Sequence, residues 1–297
     1  MALEIYNSIT NQIEIEEVCA EGFLRFLYSN AAGNLLLWAL IKRGLFSKFF
    51  GLWADSKISR KAALDFIEKH NIRVGEMKLS PSDFKCFNDF FTRELVDEAR
   101  PLSAGENDIS FPADARHLAF ENVTQADTFY AKGQRFDLEK FLDSADLAKR
   151  FDNASMMISR LSPLDYHRFH FPVSGRITAR KLINGALYSV SPIALSKRIA
   201  YMFENKRELN IIELDNGGLC AIVEIGATNV GGIKQLQDVG AYAKRGDCKG
   251  YFKFGGSCVV TIFEKNLAKF DSEILQHSQT PIEYYAKVNS RVGELNL

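Results

Sequence analysis

Apolar residues change their spacing once along this chain, at Ala99 to Asp108, where proline, glycine and serine punctuate the run ARPLSAGEND. Before that point they recur every three or four residues, in GFLRFLYSNAAGNLLLWALIKRGLFSKFFGLWAD, SRKAALDFIEKHNI and FNDFFTRELVDEA. That spacing loads one face of a helix, and Ser59 and Ser82 stand where N-caps or turns belong. After it, short β-branched and aromatic runs dominate: DTFYAKG, ASMMISRLS, SGRITARKLI, ALYSVS, NIIELDN, GLCAIVEIG, GAYAKRG and GYFKFGGSCVVTIFE. The expected fold class is α+β: a helical N-terminal region over residues 1–105, then a β-rich catalytic body over 106–297, closed as a sandwich or barrel-like sheet. At 297 residues, 46% of them hydrophobic, the chain has ample material for a buried core.

Lysine plus arginine equal aspartate plus glutamate at 37 each, so no global field favours nucleic acid. The five cysteines, Cys19, Cys86, Cys220, Cys248 and Cys258, are widely spaced and lack a CxxC pair. Reduced thiols are expected, with neither a disulfide framework nor a thiolate zinc site. The start, MALEIYNSITNQIEIEE, lacks the basic and apolar regions of a signal peptide. The longest apolar run, Leu35 to Ile41, falls far short of the roughly 20 residues that cross a bilayer. Residues 22–54 nevertheless carry Arg25, Lys42, Arg43 and Lys48 with no acid, beside Trp38, Trp53 and five phenylalanines. Such a segment can lie on an anionic membrane, apolar side chains in the acyl boundary and basic ones at the headgroups. Helices packed on the body, or a dimer contact, would use the same pattern; the lack of acids favours the membrane.

Three polar constellations carry possible chemistry. Gly255-Gly256-Ser257 separates two strand-like runs, and its plainest interpretation is a hairpin turn. LSPLDYHRFHFP, Leu161 to Pro172, sets His167 and His170 three apart, on opposite faces of a straight strand, so they share one site only if the backbone turns. Asp114 follows Pro112 in FPADARHLAF, a common place for a turn-forming aspartate. Together they offer the set in which a carboxylate orients an imidazole that takes a hydroxyl proton. The GxSxG elbow of many hydrolases is absent, and the unhindered carbonyl of Gly256 is an alternative target for the Ser257 hydroxyl. Two rivals remain open: a zinc hydrolase built on Asp114, His167 and His170, although HExxH is missing, and a non-enzymatic lipid-binding module.

The pieces FNDFFTREL, RP, PAD, LDYHRFHFP, GALYSV, NKRE, VEIGATNVGGI and GYFKFGGS occur in the order and approximate spacing of phosphatidylserine decarboxylase proenzymes, and from about Gly22 to Phe263 the chain resembles that family. The resemblance implies a pyruvoyl-dependent carboxy-lyase that cuts itself between Gly256 and Ser257, into a β chain of residues 1–256 and an α chain of 257–297. It implies Asp114 as the acid that orients His170, His170 as the base and Ser257 as the nucleophile. Attack on Gly256 would give an ester, elimination would break it, and hydrolysis of the dehydroalanine would leave a pyruvoyl group in place of Ser257. Phosphatidylserine would then form a Schiff base with that group, lose carbon dioxide and leave as phosphatidylethanolamine, with His167 positioning substrate or moving the final proton.

The resemblance requires no metal. The partners it implies are phosphatidylserine in an anionic membrane and the two cleaved chains as a heterodimer, with further dimerisation common in the family. The implied location is peripheral, on the cytoplasmic face of the inner membrane. Ala115 replaces a frequent glycine after the family aspartate, and Cys258 replaces the usual threonine or serine after the cleaved serine. Tyr166 and Arg168 are candidates to meet the phosphate, though an interior tyrosine and a surface arginine explain them as well. Lys132 and the glycines of GATNVGGI match family positions and serve equally as turn residues, while His70, His117 and His277 receive no role. An inert relative that no longer cuts itself would share all of these motifs.

Overall fold

The computed structural model describes residues 3–18, 21–41, 44–124, 136–227, 232–280 and 282–296. Its strands are β1 (Glu4–Asn7), β2 (Gln12–Ile15), β3 (Asp108–Ser110), β4 (Ala115–Phe120), β5 (Ser155–Leu161), β6 (Arg168–His170), β7 (Gly175–Ile183), β8 (Arg207–Glu213), β9 (Leu219–Gly226), β10 (Ile233–Gln235), β11 (Tyr242–Ala243), β12 (Cys248–Phe252), β13 (Ser257–Phe263), β14 (Ala268–Phe270), β15 (Glu283–Ala286) and β16 (Arg291–Leu295). Ten of them make one sheet in the order β11-β7-β8-β9-β13-β5-β4-β15-β1-β2. Its pairs are antiparallel except β1 with β15. Two three-stranded sheets, β10-β12-β6 and β14-β16-β3, complete the β structure.

The central strands β5 and β13 are buried along their whole length, so they are nearly continuous in apolar residues. Alternation divides their side chains between two cores. Val259 and Phe263 of β13 join Met157, Ile222, Phe169, Phe252, Phe270 and Ile109 on the face covered by the small sheets. Cys258, Val260 and Ile262 face the other way, onto Phe141, Phe151, Leu195 and Met202 from the short helical segments beyond. The body is thus mostly β and layered, as the strand-like runs after residue 105 predict.

The N-terminal third holds the expected helices α1 (Glu21–Ser29), α2 (Ala31–Leu36), α3 (Gly44–Ala54), α4 (Arg60–Lys69) and α5 (Phe87–Phe91), with a π-helical turn at Leu37–Ile41. It does not begin as helix. Residues 4–15 form the β1–β2 pair, which extends the large sheet through β15. The apolar residues there, Ile5, Ile13 and Ile15, follow a period of two, which suits an edge strand and no helix. Ser59 caps no turn of its own; its Oγ donates to Ala54 and Ser56 carbonyls and accepts the Phe87 N–H, tying α3, α4 and α5 together.

Three further sequence expectations change. The Gly255-Gly256-Ser257 break is not a hairpin turn, because β12 and β13 belong to different sheets and the chain crosses between them there. ALYSVS contributes only a bridge from Ala186 to Asn205, since the Tyr188 and Ser189 N–H groups go to the Asn205 and Tyr28 side chains instead of a ladder. GAYAKRG keeps two strand residues between Gly240 and Gly246, whose positive φ values bend the chain at both ends. DTFYAKG, including Lys132, lies outside the described residues, as do Cys19, Lys42, Arg43 and Gly231.

Candidate active site

Ser257 is the first residue of β13 and is paired on both sides, opposite Leu161 of β5 and Gly226 of β9. Its backbone is therefore fixed by the centre of the large sheet. The four residues before it cross from β12, and Gly255 takes φ +144°, which a side chain would resist. At Gly256, by contrast, an added Cβ would meet among the described residues only the Ala227 methyl, at 3.7 Å, so they leave this residue uncrowded. The Ser257 Oγ is buried and, among the described residues, has no hydrogen-bond partner. A buried hydroxyl left unpaired costs free energy, and here it stands directly after a glycine with no side chain to cover its carbonyl.

His167 is wholly buried, with its ring 3.9 Å from that of Phe91. Its Nδ1 lies 3.1 Å from the Asp165 carbonyl, so Nδ1 carries the hydrogen and Nε2 presents a lone pair. Among the described residues that buried Nε2 has no hydrogen-bond partner, and the Gly255 backbone bears on the same ring. Burial pushes its pKa down to about 3, which keeps the imidazole neutral near pH 7. Two unpartnered buried atoms, Ser257 Oγ and His167 Nε2, thus belong to residues at the same crossing.

His170 faces a different neighbourhood. Its Nδ1 donates to the Gly246 carbonyl at 2.8 Å, and its Nε2 lies 3.4 Å from the Tyr166 hydroxyl. Burial lowers its pKa, while the Gly246 carbonyl and the Asp114 charge pull it back up. Asp114 is buried and receives Arg100 Nε at 2.9 and 3.0 Å on its two oxygens and the Val288 N–H at 2.9 Å. Among the described residues no hydrogen bond joins Asp114 to His170 or His170 to Ser257; the acid acts on His170 through its charge. Nor do Asp114, His167 and His170 converge as a metal-ligand set among the described residues.

Other groups of the site were not singled out by sequence reasoning. Asp165 sits inside the quoted LDYHRFHFP stretch; burial pushes its carboxyl up to about 6 against the pull of Arg116, which it contacts. Its carbonyl accepts from both His167 and Arg93. Arg160 of β5 is clasped by Glu16 and Glu283. A cavity of about 220 Å³ extends from Gly255 and Gly256 past Leu161 and Val190 to Phe23 and Leu27 on α1.

The two departures from the family pattern are packed away from reaction. Ala115 is buried opposite Ala286, and the Cys258 thiol is buried in the far core with its pKa pushed up to about 12. Arg168 is engaged by the Thr92 carbonyl and Glu94, each at 3.0 Å, and Tyr166 is interior. Gly226 and Gly232 flank residues 228–231, which are outside the described set.

Residues 87–294 match the model of a family described as Phosphatidylserine decarboxylase. The chain is 41% identical over 284 residues to the Phosphatidylserine decarboxylase proenzyme of Fusobacterium nucleatum, covering 96% of this chain and 95% of that protein. It is 38% identical over 291 residues to the proteins of the same name from Ruminiclostridium cellulolyticum and Clostridium novyi, covering 98% of this chain and 97% and 99% of theirs.

Proposed function

This chain belongs to the phosphatidylserine decarboxylase family, and from that premise we infer how its own residues make and use the reacting group. The activity is the pyruvoyl-dependent conversion of phosphatidylserine to phosphatidylethanolamine and carbon dioxide by a self-processing proenzyme. The observation that carries the residue assignments is the buried, unpartnered Ser257 hydroxyl beside an uncrowded Gly256. A group made from Ser257 would stand at the head of a strand held on both edges, and the open space at Gly256 fits that chemistry.

Ser257 Oγ attacks the Gly256 carbonyl carbon; its proton is assigned to His170, whose basicity the Asp114 charge supports, and reaches it by a relay, since no direct hydrogen bond joins the two among the described residues. The Gly256–Ser257 amide becomes an ester. Loss of the Ser257 Cα proton and cleavage of the Cβ–Oγ bond then release Gly256 as a carboxylate; water displaces the nitrogen as ammonia and leaves the ketone. Once formed, the pyruvoyl group supplies a carbonyl for the substrate amine and a sink for the electrons left by the departing carboxylate. His167, neutral and buried near Gly255, presents its Nε2 lone pair to the site, where it positions the substrate or relays to the substrate carbon a proton taken from water. Phe91 shields that ring from water, and Phe254 packs on Phe91.

The substrate reaches this site from a membrane surface. Phe23, Trp38, Phe49 and Leu52 on the α1 to α3 region are 50, 60, 66 and 60% exposed, too much apolar surface for a water-facing helix set. Lys48 is exposed among them, and the apolar cavity beside Gly256 opens towards Phe23 on the same region. This supports peripheral association with a membrane, whose place we take to be the cytoplasmic face of the inner membrane.

Intact-mass analysis after expression tests the reading. Wild type should give two fragments, the α chain blocked at its amino end and trapped by hydroxylamine, and release carbon dioxide from phosphatidylserine vesicles. Ser257→Ala should stay whole, as should His170→Ala and Asp114→Ala, whereas His167→Ala should cut yet decarboxylate poorly. Cutting in the Ser257→Ala protein would overturn the nucleophile; normal cutting in His170→Ala with none in His167→Ala would pass the base to His167.

A further inference from the structure

Phe254, two residues before the scissile bond, donates its backbone N–H to Asn88 Oδ1 at 2.8 Å. Asn88 Nδ2 in turn donates to Asp55 Oδ1 at 2.9 Å, and the other oxygen of Asp55 meets Lys253 Nζ at 2.7 Å. Asp55 is the residue immediately after α3, the helix that exposes Phe49 and Leu52. Among the described residues this is the last backbone N–H before Gly256–Ser257 that donates a hydrogen bond; the preceding ones go from Phe252 to the His167 carbonyl and from Lys253 to that of Gly232.

Around the amide, the Phe254 ring packs on Phe50, Phe87 and Phe91, with centroids 5.4, 4.7 and 4.9 Å away. Ring contacts tolerate sliding, whereas an amide that accepts on one side and donates on the other fixes direction. Asn88 is 4% exposed, so its bonds are made out of water and are costly to lose.

We propose that Asn88 is a positioning residue for self-cleavage: by joining the Phe254 N–H to Asp55 it locks the crossing segment against the end of α3 and sets the Gly256 carbonyl in reach of Ser257. The proposal rests on the reading that Gly256–Ser257 is the bond cut. It also makes the membrane-facing helix and the scissile segment parts of one unit. An amide suits this place because it must offer opposite polarity to two groups; aspartate there would set two carboxylates face to face.

The test follows cutting by mass spectrometry during cell-free synthesis of the full chain. Asn88→Ala should cut at least about 10-fold more slowly, the scale of a reacting group displaced by a fraction of an ångström. Asn88→Asp should also be slow. The exchange Asn88→Asp with Asp55→Asn restores an acceptor for Phe254 and a donor between positions 55 and 88, and should return the rate to within about 3-fold of wild type. Melting temperatures, taken for each change in the uncut Ser257→Ala background, separate positioning from stability. An exchange no faster than Asn88→Asp alone overturns the proposal, as does a rate defect that vanishes at equal folded fraction. A wild type that stays whole overturns the underlying cleavage reading, while a cutting wild type beside an equally fast Asn88→Ala overturns only the role of Asn88.

Discussion

Gly255 and Gly256 are adjacent and alike, yet the backbone treats them differently. Gly255 sits at φ +144°, where a Cβ is strained, and Gly256 has room for one against Ala227. Gly255→Ala should therefore cost about 1–3 kcal/mol in urea unfolding and retard cutting, and Gly256→Ala should keep wild-type stability within about 1 kcal/mol. Equal losses would mean that the crossing segment relaxes freely. The imidazoles define a pH dependence of known sign. His117 and His167 are both buried with pKa pushed down to about 3, whereas an unfolded histidine titrates near 6.5. Below pH 6.5 the unfolded chain binds protons that the fold refuses, so stability present above that pH is lost as pH falls, by about 1.4 kcal/mol per unit for each fully shifted histidine. Asp165, pushed up to about 6, acts in the opposite sense between about pH 6 and 4. His117→Gln isolates one histidine: between pH 5.5 and 4.5 the uncut Ser257→Ala protein carrying it should lose about 1.4 kcal/mol less than the same protein with His117. An unchanged slope would show that His117 is charged in the fold. The Gly255-Gly256-Ser257 motif was legible because it is local. Asn88 and Arg100 were not, since the first meets Phe254 and the second meets Asp114 only after folding.

At the scale of elements, periodicity located the strongly patterned segments and failed on the weakly patterned ones. β5, β7, β8, β9 and β13 follow the β-branched runs that announced them, because their side chains must pack on two cores or one. β1 and β2 escaped because four-residue strands with charged neighbours depend on β15, far along the chain, for pairing. The break at Gly255 was visible, but its place between two sheets depends on the partners of β12 and β13. The apolar face of α3 was legible in the same way, and its exposure is what the fold adds. Phe49→Ser with Leu52→Ser removes two side chains that are 66 and 60% exposed, each worth about 1.5–3 kcal/mol if buried in lipid. Sedimentation with anionic vesicles should fall at least about 10-fold while the melting temperature stays near that of wild type. Undiminished vesicle binding would remove α3 from the membrane contact, and a collapse in melting temperature would make its face part of a protein interface.

For the whole molecule, the proposed cut at Gly256–Ser257 would leave two chains that share one sheet. The α chain would carry β13 to β16, and β13 lies between β9 and β5 with seven register pairs on each side. β15 lies between β4 and β1, and Arg160 of the β chain grips Glu283 of the α chain where both are buried. Withdrawing β13 alone would expose Val259, Val260, Ile262 and Phe263, all fully buried, at a cost of about 6–12 kcal/mol before any hydrogen bond is counted. It would also leave β9 and β5 as unpaired edges in the middle of the sheet. A cut there would thus change covalent structure with almost no change of packing. The matured chains should co-elute in size-exclusion chromatography at nanomolar concentration and separate only in denaturant, after which the β chain alone should aggregate. Loss of the α chain on simple dilution would mean that the cut opens the sheet, and the site at the head of β13 would then lack the rigid support its chemistry requires.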